Sequence, residues 1–423
     1  MDKAADLPLS GIHVVEMGTV VLAPYAARLL MEMGASVIKV EAPGGDITRQ
    51  QGPSRNPGMA ALFLSCNRGK KSICLDLKKP GGTEVLRRLL GRADVFMTNL
   101  RPRNATGLGI DHSSMRDVNP RLIYCAAFGF GEGGRYRGQP AYDDIIQAMS
   151  GYSSLYQRIE GKPRYSPSIL ADKTTALYMV MGIQSALIQR ERTGQGQYVE
   201  VPMFESLVHY LNIEHQAGYN FEPNLGSSGY LRMVSPQRRP HKTADGYISV
   251  MPHNQKDWTT FFQETGNAAF LSDPKFASNE NRAKNINALY DKLAEVMLTR
   301  TSTEWFTFLA AHDIPHAPVM EFDDLYSDGH LQDVGFWQTG THSSEGMLRW
   351  PRFPVGFGAA GAATAEVSQP GAPRLGEHSQ EILSMLDFSF EEQESLRRQR
   401  VVSGYGLDEP AAQPHVREST HEN

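Results

Sequence analysis

Apolar and polar residues alternate with two different periods along about the first 130 residues. Short apolar runs predict buried strands, and apolar positions three or four residues apart predict amphipathic helices. Gly34 stands where the first helix should end, since glycine readily adopts the backbone of a helix C-terminus. The predicted strands are 12–17, 35–41, 72–77, 94–98 and 121–127, and the helices 23–33 and 83–90. Because alternating strands and helices form parallel sheets, we expect a doubly wound α/β sheet with ligands near the carboxyl ends of its strands.

The pattern changes after about residue 205. A helix is predicted at 203–217, and five proline or glycine breakers in 220–240 predict a long loop that crosses between domains. A smaller α+β domain follows, with a strand at 246–251 and helices at 256–265, 280–286, 288–298 and 303–312. The predicted organisation is a large domain that begins with 1–205, a linker at 206–240, the small domain at 241–325, a linker and return to the large domain at 326–405, and a disordered tail at 406–423.

Composition narrows the class of protein. The chain has 423 residues, 40% hydrophobic and 21% charged, and 42 basic against 47 acidic residues leave a formal net charge of −5. The mild acidic excess, without a long Lys/Arg block, excludes a nucleic-acid footprint. The N-terminus lacks the apolar core of a signal peptide, and the most apolar long stretch, 176–188, is shorter than the ~20 residues that span a bilayer. We therefore expect a cytoplasmic globular protein with no membrane or nucleic-acid partner.

The sequence lacks the motifs of common cofactors and metals. The first strand-to-helix turn has a single glycine, Gly18, followed by bulky residues, so the dinucleotide fingerprint is absent. Segment 69–72 ends in Lys-Ser like a phosphate loop but precedes a strand instead of a helix. The three cysteines form no Cys-x-x-Cys pair, and His253 and His378 have no second metal ligand at useful spacing, which favours non-catalytic roles. We expect no metal and no permanently bound cofactor.

Basic residues cluster beside three predicted strand ends, at 67–72, 76–79 and 99–103. Such clusters can hold a phosphorylated ligand through charge-assisted hydrogen bonds. The alternative is a set of solvated loop charges, which composition alone favours. The residues by themselves leave both alternatives open.

Several short motifs follow one another in a fixed order between about residues 8 and 390. They are 8–16, 34–43, 45–46, 67–78, 93–95, 99–102, 119–124, 140–143, 171–173, 193–197, 314–315, 318–319 and 375–378. Taken together, these stretches resemble the class III CoA-transferase family, which includes formyl-CoA transferase and carnitine CoA-transferase. One such motif would mean little, but this many in order make the resemblance specific.

The resemblance implies a large Rossmann-like domain built from both chain ends, a smaller α+β domain and an interlocked homodimer. It also implies that coenzyme A, as acyl-CoA, is a substrate bound on the large domain. The formyl-CoA enzyme carries arginines where this chain has Ala42 and Gly107, and the candidate replacements are Arg68, Lys71 and Arg103. The other implied CoA contacts are Val21, Leu22, Leu75, Asp76, Leu77, Lys78, Asn99, Leu100, Arg101, the stretch around 139–142 that ends at Tyr142, and Asp143.

The resemblance places the family's nucleophile on Asp172, in the stretch 169–176. Without the family, Asp172 is an N-cap or first-turn residue before an apolar helix, and such residues are usually structural. A helix N-terminus favours the ionised carboxylate that a nucleophile requires. The implied reaction moves CoA from an acyl-CoA, such as succinyl-CoA, to a carboxylic acid through aspartyl anhydride and aspartyl-CoA thioester intermediates.

Two alternatives stay open. In the large domain the chain is about equally similar to 2-methylacyl-CoA racemase, but racemases place a histidine where this chain has Tyr142. A phenol with an ordinary pKa of ~10 is a poor base at neutral pH, which favours the transferase. The second alternative is a non-catalytic CoA-binding protein, against which the retention of Asp172, Tyr142 and Asp143 argues.

Two features of the middle of the chain extend the transferase hypothesis. The loop 226–229 is a candidate cover for the site, although it lacks the four-glycine run of the formyl-CoA enzyme. Arg232, Arg238, Arg239 and His241 are candidates to bind the second carboxylate of a dicarboxylic substrate such as succinate. The alternative for these residues is solvation at the surface.

Overall fold

The computed structural model describes residues 7–358 and 371–407. The chain divides into two compact units, and the first takes in residues up to 143, 169–206 and 336 onward. The second unit consists of 144–168 and 207–335. Residues 144–168, which the sequence pattern groups with the large domain, therefore cluster with the second unit. The predicted disordered tail lies outside the described residues from residue 408 onward.

Strands and helices alternate in the first part of the chain, as predicted. The strands of the described residues are β1 (His13–Met17), β2 (Ser36–Glu41), β3 (Lys71–Leu75), β4 (Val95–Thr98), β5 (Ile123–Phe128), β6 (Tyr198–Pro202), β7 (His241–Lys242), β8 (Tyr247–Val250), β9 (His316–Pro318), β10 (Trp337–His342), β11 (Gly346–Pro351) and β12 (Val402–Ser403). The boundaries of β1 to β5 agree with the predictions to within two residues.

The α-helices cover most of the segments between the strands. Those of the described residues are α1 (Leu22–Glu32), α2 (Ala61–Asn67), α3 (Pro80–Gly91), α4 (Pro102–Gly107), α5 (His112–Val118), α6 (Asp143–Met149), α7 (Tyr152–Glu160), α8 (Ala171–Thr193), α9 (Met203–His215), α10 (Gln255–Glu264), α11 (Asn279–Lys284), α12 (Ile286–Met297), α13 (Ser302–Ala311), α14 (Gly329–Asp333), α15 (Ser379–Met385) and α16 (Phe390–Arg398).

A seven-stranded sheet in the order β12-β3-β2-β1-β4-β5-β6 forms the centre of the first unit. β1 to β6 pair in parallel, and β12 forms one edge of the sheet by pairing with β3 in antiparallel orientation. The inner strands are rich in apolar residues because both faces of the sheet are covered, and every residue of β5 is buried. Buried charged residues interrupt this pattern at Glu16 in β1 and at Lys39 and Glu41 in β2. The predicted α/β fold with a mainly parallel sheet is confirmed.

The order of the strands reverses at β1. From β1 the chain builds β2 and β3 on one side, and it then returns to place β4, β5 and β6 on the other. The loops that follow β1 and β4 therefore diverge and leave a crevice, which is where doubly wound sheets bind their ligands. In this chain those loops begin at Gly18 and Asn99.

Two parts of the first unit differ from the predictions. α3 begins at Pro80, three residues before the predicted start, because proline fits the first position of a helix, where its missing amide is not needed. β6 is not predicted, since it is partly exposed and mixes tyrosine and glutamate with valine. Propensity and periodicity are weak guides for such a strand.

The second unit contains the antiparallel sheet β7-β8-β9, helices α10 to α13 and an aromatic core. Trp305 stacks on Phe261, with 5.7 Å between ring centroids, and its Nε1–H donates to the Met297 carbonyl oxygen at 2.7 Å. Segment 221–240, predicted as a loop, has neither helix nor strand and lies within this unit. None of the helices in the described parts of the chain has the length and apolar character needed to cross a membrane.

Candidate active site

A cavity of about 350 Å³ opens in the first unit at the carboxyl ends of β1, β4 and β5. Its walls come from the loops after these strands and from the first turn of α8. The lining includes Thr19 and Val20 after β1, Asn99 to Arg101 after β4, and Asp172 on α8. The cavity thus occupies the edge where the strand order reverses, as expected for a ligand site of this fold.

Fully buried charged side chains support the loop after β1. The Lys39 ammonium lies 3.2 Å from Glu16 Oε1 and 3.1 Å from Asp46 Oδ2. It also donates to the Gly18 carbonyl oxygen at 2.8 Å, and the Gly18 amide donates to Glu16 at 2.8 Å. Lys70 lies 3.1 Å from the other Glu16 oxygen, and burial lowers the pKa of Lys70 to about 8. Because a buried charge that loses its partner is costly, this cluster fixes the path of the loop.

Val20, in the same loop, has a left-handed backbone with a φ of 69°. This conformation is strained for a β-branched residue, and such strain is typical of functional sites. The Val20 amide donates to Asp46 Oδ1 at 3.3 Å. Beside it, Thr19 and Asn99 exchange two hydrogen bonds of 3.2 and 2.9 Å. These bonds join the loops after β1 and β4 at the cavity wall.

Asp172 occupies the second position of α8 and is only 8% exposed. α8 packs against α1, β5 and β6, which holds its first turn at the cavity. The Asp172 amide donates to Asp143 Oδ1 at 3.0 Å, so the Asp143 carboxylate caps the start of α8. Burial, followed by the negative charge of Asp143, raises the pKa of the Asp172 carboxyl to about 7.

The ionisation of Asp172 differs from the sequence-based expectation, in which the helix terminus favours the charged form. A rise in pKa from 3.8 to about 7 corresponds to about 4 kcal/mol against the carboxylate. A helix terminus supplies only about 0.3–1 kcal/mol in the opposite direction. Burial and Asp143 therefore outweigh the helix, and Asp172 titrates near neutral pH.

Several predicted site residues meet at this cavity. Val21, although outside the lining, is buried immediately before Leu22 at the start of α1. Tyr142 is 72% exposed at the rim. The predicted residues in the lining are Leu22, Asn99, Leu100, Arg101, 139–141, Tyr142 and Asp172, and Asp143 contacts the last of these.

The predicted replacements for the family arginines lie outside the cavity lining. Arg68 is buried and pairs with Glu32 at 2.9 Å. Lys71 pairs with Glu381 at 2.5 Å. Each of these two cations thus has a carboxylate partner, and the Lys71–Glu381 pair is exposed. Arg103 is exposed on α4 and does not line the cavity.

The remaining predicted contacts, 75–78, follow the end of β3. Leu75 is buried in the core, and Lys78 is exposed. The Lys78 amide donates to Asp76 Oδ1 at 3.1 Å, which forms a tight turn. Since β3 is parallel to β1 and lies two strands away, these residues share the carboxyl edge with the cavity but do not line it.

The sequence does not predict the part of the cavity formed by the end of β5 and the first residues after it. Phe128, Gly129, Phe130 and Glu132 line the cavity there. A signal for them exists, because β5 is a buried parallel strand whose carboxyl end belongs to the binding edge. Gly129 is required by packing, since a Cβ at this position would lie 2.5 Å from the Cβ of Ala141.

The candidates for a second carboxylate site lie in the second unit. Arg232 Nε donates to the Tyr290 hydroxyl at 3.0 Å, whereas Arg238 and Arg239 are exposed. Burial, followed by the charge of Arg239, lowers the pKa of His241 to about 4, so this side chain is neutral at physiological pH. Recognition of a second carboxylate by these four candidates would therefore depend on the three arginines.

The loop 226–229 is tied to its own unit by hydrogen bonds. Arg158, on α7, donates to the Ser228 carbonyl oxygen at 2.6 Å. The Gly229 amide donates to the His215 carbonyl oxygen, at the end of α9, at 2.7 Å. Gly229 has a φ of 100°, and a Cβ there would collide with the Arg158 guanidinium. Glycine is thus required for this conformation of the loop.

Residues 7–358 and 371–407 contain no group of three or more His, Cys, Asp or Glu side chains that could hold a metal ion. His378 Nδ1 accepts the Ser72 amide at 3.2 Å, and the His378 amide donates back to the Ser72 carbonyl oxygen at 3.0 Å. These two bonds tie the start of α15 to β3. The contact fits the structural role predicted for His378.

The chain is similar to known CoA-transferases over most of its length. The sequence profile of CoA-transferase family III matches residues 9–379. The succinate–glutarate CoA-transferase of Agrobacterium fabrum is 31% identical over 395 residues, which cover 90% of this chain and 96% of that protein. A formyl-CoA:oxalate CoA-transferase of Streptomyces coelicolor is 30% identical over 397 residues, which cover 88% and 94% of the two chains.

A solved structure shows the same similarity in three dimensions. The crystal structure of a CAIB/BAIF family protein from Brucella suis superposes with a TM-score of 0.74 at 30% identity. The match covers 90% of this chain and 100% of that one. The family resemblance carried by the motifs is confirmed. The protein is a CoA-transferase enzyme, and the chain belongs to CoA-transferase family III.

Proposed function

We propose that the protein transfers coenzyme A from an acyl-CoA to a small carboxylic acid, with Asp172 as the nucleophile. The observation that carries the proposal is the position of Asp172, a buried carboxyl in the first turn of α8 that lines the cavity at the ligand-binding edge. Burial makes the free carboxylate unfavourable, as its raised pKa indicates. Conversion of Asp172 to an uncharged acyl derivative relieves that cost.

In the first half-reaction, an Asp172 carboxylate oxygen attacks the thioester carbonyl carbon of the acyl-CoA. A C–O bond forms, the C–S bond breaks, and CoA leaves as a thiolate. The thiolate then attacks Cγ of Asp172, and the acyl group departs as a carboxylate that carries one former Asp172 oxygen. Asp172 is left as a thioester with CoA.

In the second half-reaction, a carboxylate oxygen of the acceptor acid attacks Cγ of this thioester and expels CoA as a thiolate. The thiolate attacks the acceptor's carbonyl carbon in the resulting anhydride, which forms the new acyl-CoA. Asp172 is regenerated with one oxygen from the acceptor. Each tetrahedral intermediate needs hydrogen-bond donors, for which we propose backbone amides of the glycine-containing loops.

We assign the CoA contacts to the cavity residues around Asn99 to Arg101 and Leu22, with 75–78 along the same edge. Arg101 contributes a cation in this lining that suits an anionic ligand. The names of the relatives, which specify succinate and glutarate or formyl-CoA and oxalate, support a small acyl-CoA donor and a dicarboxylic acceptor. Succinyl-CoA is the donor that we would examine first.

We also propose that the protein acts in the cytoplasm as an interlocked homodimer. The family resemblance supports the dimer, and the composition of the chain supports the location. In this proposal each large domain combines both ends of one chain, and the small domain is the segment 241–325.

An oxygen-18 experiment tests the covalent route. The protein is incubated with succinyl-CoA and glutarate labelled with oxygen-18 in its carboxylates, and the peptide containing Asp172 is weighed by mass spectrometry. The two half-reactions place acceptor oxygen in the Asp172 carboxyl, so its mass should increase as turnover proceeds. Asp172→Asn, which cannot form the anhydride, should show neither label nor transfer. CoA transfer without label in Asp172 would refute the route.

The same preparation separates the two alternatives. A 2-methylacyl-CoA racemase would exchange the α-proton of its substrate with deuterium from the solvent and would transfer no CoA. A non-catalytic CoA-binding protein would bind acyl-CoA without transfer, exchange or label. A screen of acyl-CoA donors against small acids then identifies the substrate pair.

A further inference from the structure

Asp143 stands in direct contact with Asp172. It is the first residue of α6, next to Tyr142 at the rim of the cavity, and it belongs to the first unit. Its Oδ1 accepts the backbone amide of Asp172 at 3.0 Å. The sequence predicts Asp143 as a CoA contact, but this hydrogen bond directs its carboxylate to the start of α8. An anion beside the nucleophile therefore requires a different explanation.

We propose that Asp143 is a positioning residue for Asp172, whose carboxylate holds the first turn of α8 in place and whose negative charge favours the acylated forms of Asp172 over the free carboxylate. This inference rests on the proposed role of Asp172 as nucleophile. It assigns Asp143 to the acylation chemistry instead of to CoA recognition.

The hydrogen bond from the Asp172 amide to Asp143 is the basis for the positioning role. The first amides of a helix have no partner within the helix, and a carboxylate oxygen is a strong acceptor for them. α8 has no side-chain cap of its own, because its N-cap position is Leu170. Asp143 thus fixes the backbone that carries Asp172, from a position 29 residues earlier in the chain.

The negative charge of Asp143 is the basis for its effect on the acylation of Asp172. The anhydride and the thioester at Asp172 are uncharged, whereas the resting carboxylate is an anion beside another anion. A nearby like charge destabilises the ionised carboxylate. The destabilisation is the same whether the carboxylate is compared with its protonated form or with its acylated form. The same effect contributes to the raised pKa of Asp172, where burial is the larger cause. Asp143 should therefore shift both the pH dependence of acylation and its equilibrium.

Other charged or titratable groups lie in the cavity lining with Asp172 or on the elements packed against α8. Arg101 and Glu132 line the same cavity. Arg28 and Glu32, on the helix that packs against α8, are paired with each other at 2.8 Å. The further titratable groups on the cavity rim and on the elements packed against α8 are Tyr142, Tyr25, Tyr124, Cys125, Tyr198 and Glu200.

The substitution Asp143→Asn separates charge from geometry, since the asparagine oxygen can still accept the Asp172 amide. The measurement is the rate of acylation by succinyl-CoA in single turnover, followed as a function of pH, together with the fraction of Asp172 present as the CoA thioester at equilibrium. We expect the acidic midpoint of the acylation rate to fall by about one pH unit. The equilibrium ratio of thioester to free carboxylate at Asp172 should fall about tenfold. Asp143→Ala should add faster hydrogen exchange in the first turn of α8, because it also removes the cap.

Asp144→Asn is the matched control, because it removes the same charge from an exposed neighbour. It should leave the midpoint and the thioester fraction unchanged. Asp143→Glu restores the charge and should move both quantities back towards the wild-type values. An Asp143→Asn protein with wild-type midpoint and wild-type thioester fraction would overturn the inference, as would an Asp143→Glu protein identical to Asp143→Asn.

Failure of the underlying function gives a different result. If the wild-type protein transfers CoA but carries no thioester at Asp172 at any pH, the proposed nucleophile is wrong and the inference falls with it. If the wild-type protein forms the thioester and Asp143→Asn is indistinguishable from it, the role of Asp143 alone is wrong.

Discussion

Replacement of Asp172 with asparagine should stabilise the folded protein at pH 8. Asp172 is 8% exposed, and burial, followed by the charge of Asp143, raises its pKa from 3.8 to about 7. In the unfolded chain an aspartate ionises near pH 3.9. Folding at pH 8 therefore places a carboxylate where its charge is disfavoured, and asparagine, with nearly the same shape, avoids that penalty.

The magnitude follows from the pKa difference. A rise from 3.8 to about 7 is equivalent to about 4 kcal/mol of unfolding free energy. Below about pH 4 both states hold the proton and the penalty vanishes. Between about pH 4 and 7 the unfolded state releases its proton first, so stability falls as pH rises, and above this range the penalty is constant. This pKa difference already includes the interaction of the carboxylate with the helix terminus, so asparagine should gain about 4 kcal/mol at pH 8.

Urea unfolding of the wild-type and Asp172→Asn proteins at pH 5 and pH 8 measures this difference. The advantage of the variant should be about 1–2 kcal/mol at pH 5 and about 4 kcal/mol at pH 8. Because the two units can unfold separately, hydrogen exchange of the α8 amides identifies the unit concerned. Asp117→Asn, at an exposed aspartate on α5, controls for the loss of a charge. A variant no more stable than wild type at pH 8 would refute the reasoning.

Three further substitutions test the site and its support. Lys39→Met removes the cation shared by two buried carboxylates and should cost about 3–5 kcal/mol in urea unfolding; a loss below about 1 kcal/mol would contradict the role given to the cluster. Arg101→Ala should raise the KM for acyl-CoA about tenfold, the value of a lost charged hydrogen bond, whereas Arg103→Ala, outside the lining, should change it less than about twofold. Equal effects in steady-state kinetics would contradict the assignment. Gly129→Ala should push against Ala141, destabilise the protein by about 1–3 kcal/mol and lower kcat/KM, and unchanged kinetics would show that this wall is not part of the site.

The fold could be predicted where a buried strand appears in the sequence as a segment rich in apolar residues. β1 to β5 are largely buried and rich in apolar residues, so each can be recognised by itself although β1 and β2 also carry buried charges. β6 is partly exposed, and β12 has only two residues and pairs with β3 from more than 300 positions later in the chain. Nothing local in the sequence indicates such a pairing. The central strands and their parallel arrangement were therefore accessible, whereas the edges of the sheet were not.

The candidate site shows a similar division. The motif that contains Asp172 places it at the start of an apolar helix, and the structure has it there. Its ionisation depends on what α1, β5 and β6 exclude from its surroundings and on Asp143, neither of which the motif specifies. Arg68 and Lys71 look like phosphate ligands in the sequence, but each is paired with a carboxylate on a different element.

Asp46 and Asp172 are both buried carboxylates at this edge of the sheet, but their pKa values shift in opposite directions because their charged neighbours differ. Burial pushes the pKa of Asp46 upwards, but the charge of Lys39 and hydrogen bonds from Thr48 bring it below its ordinary value. Asp46 is thereby kept as an anion that holds the loop after β1. Asp172 is buried in the same unit, but the charged group that acts on its pKa is the anion Asp143, so burial and charge act in the same direction. A carboxylate stabilised by a lysine has little to gain from acylation, whereas Asp172 gains by losing its charge, which favours the acylated forms of Asp172 that we propose.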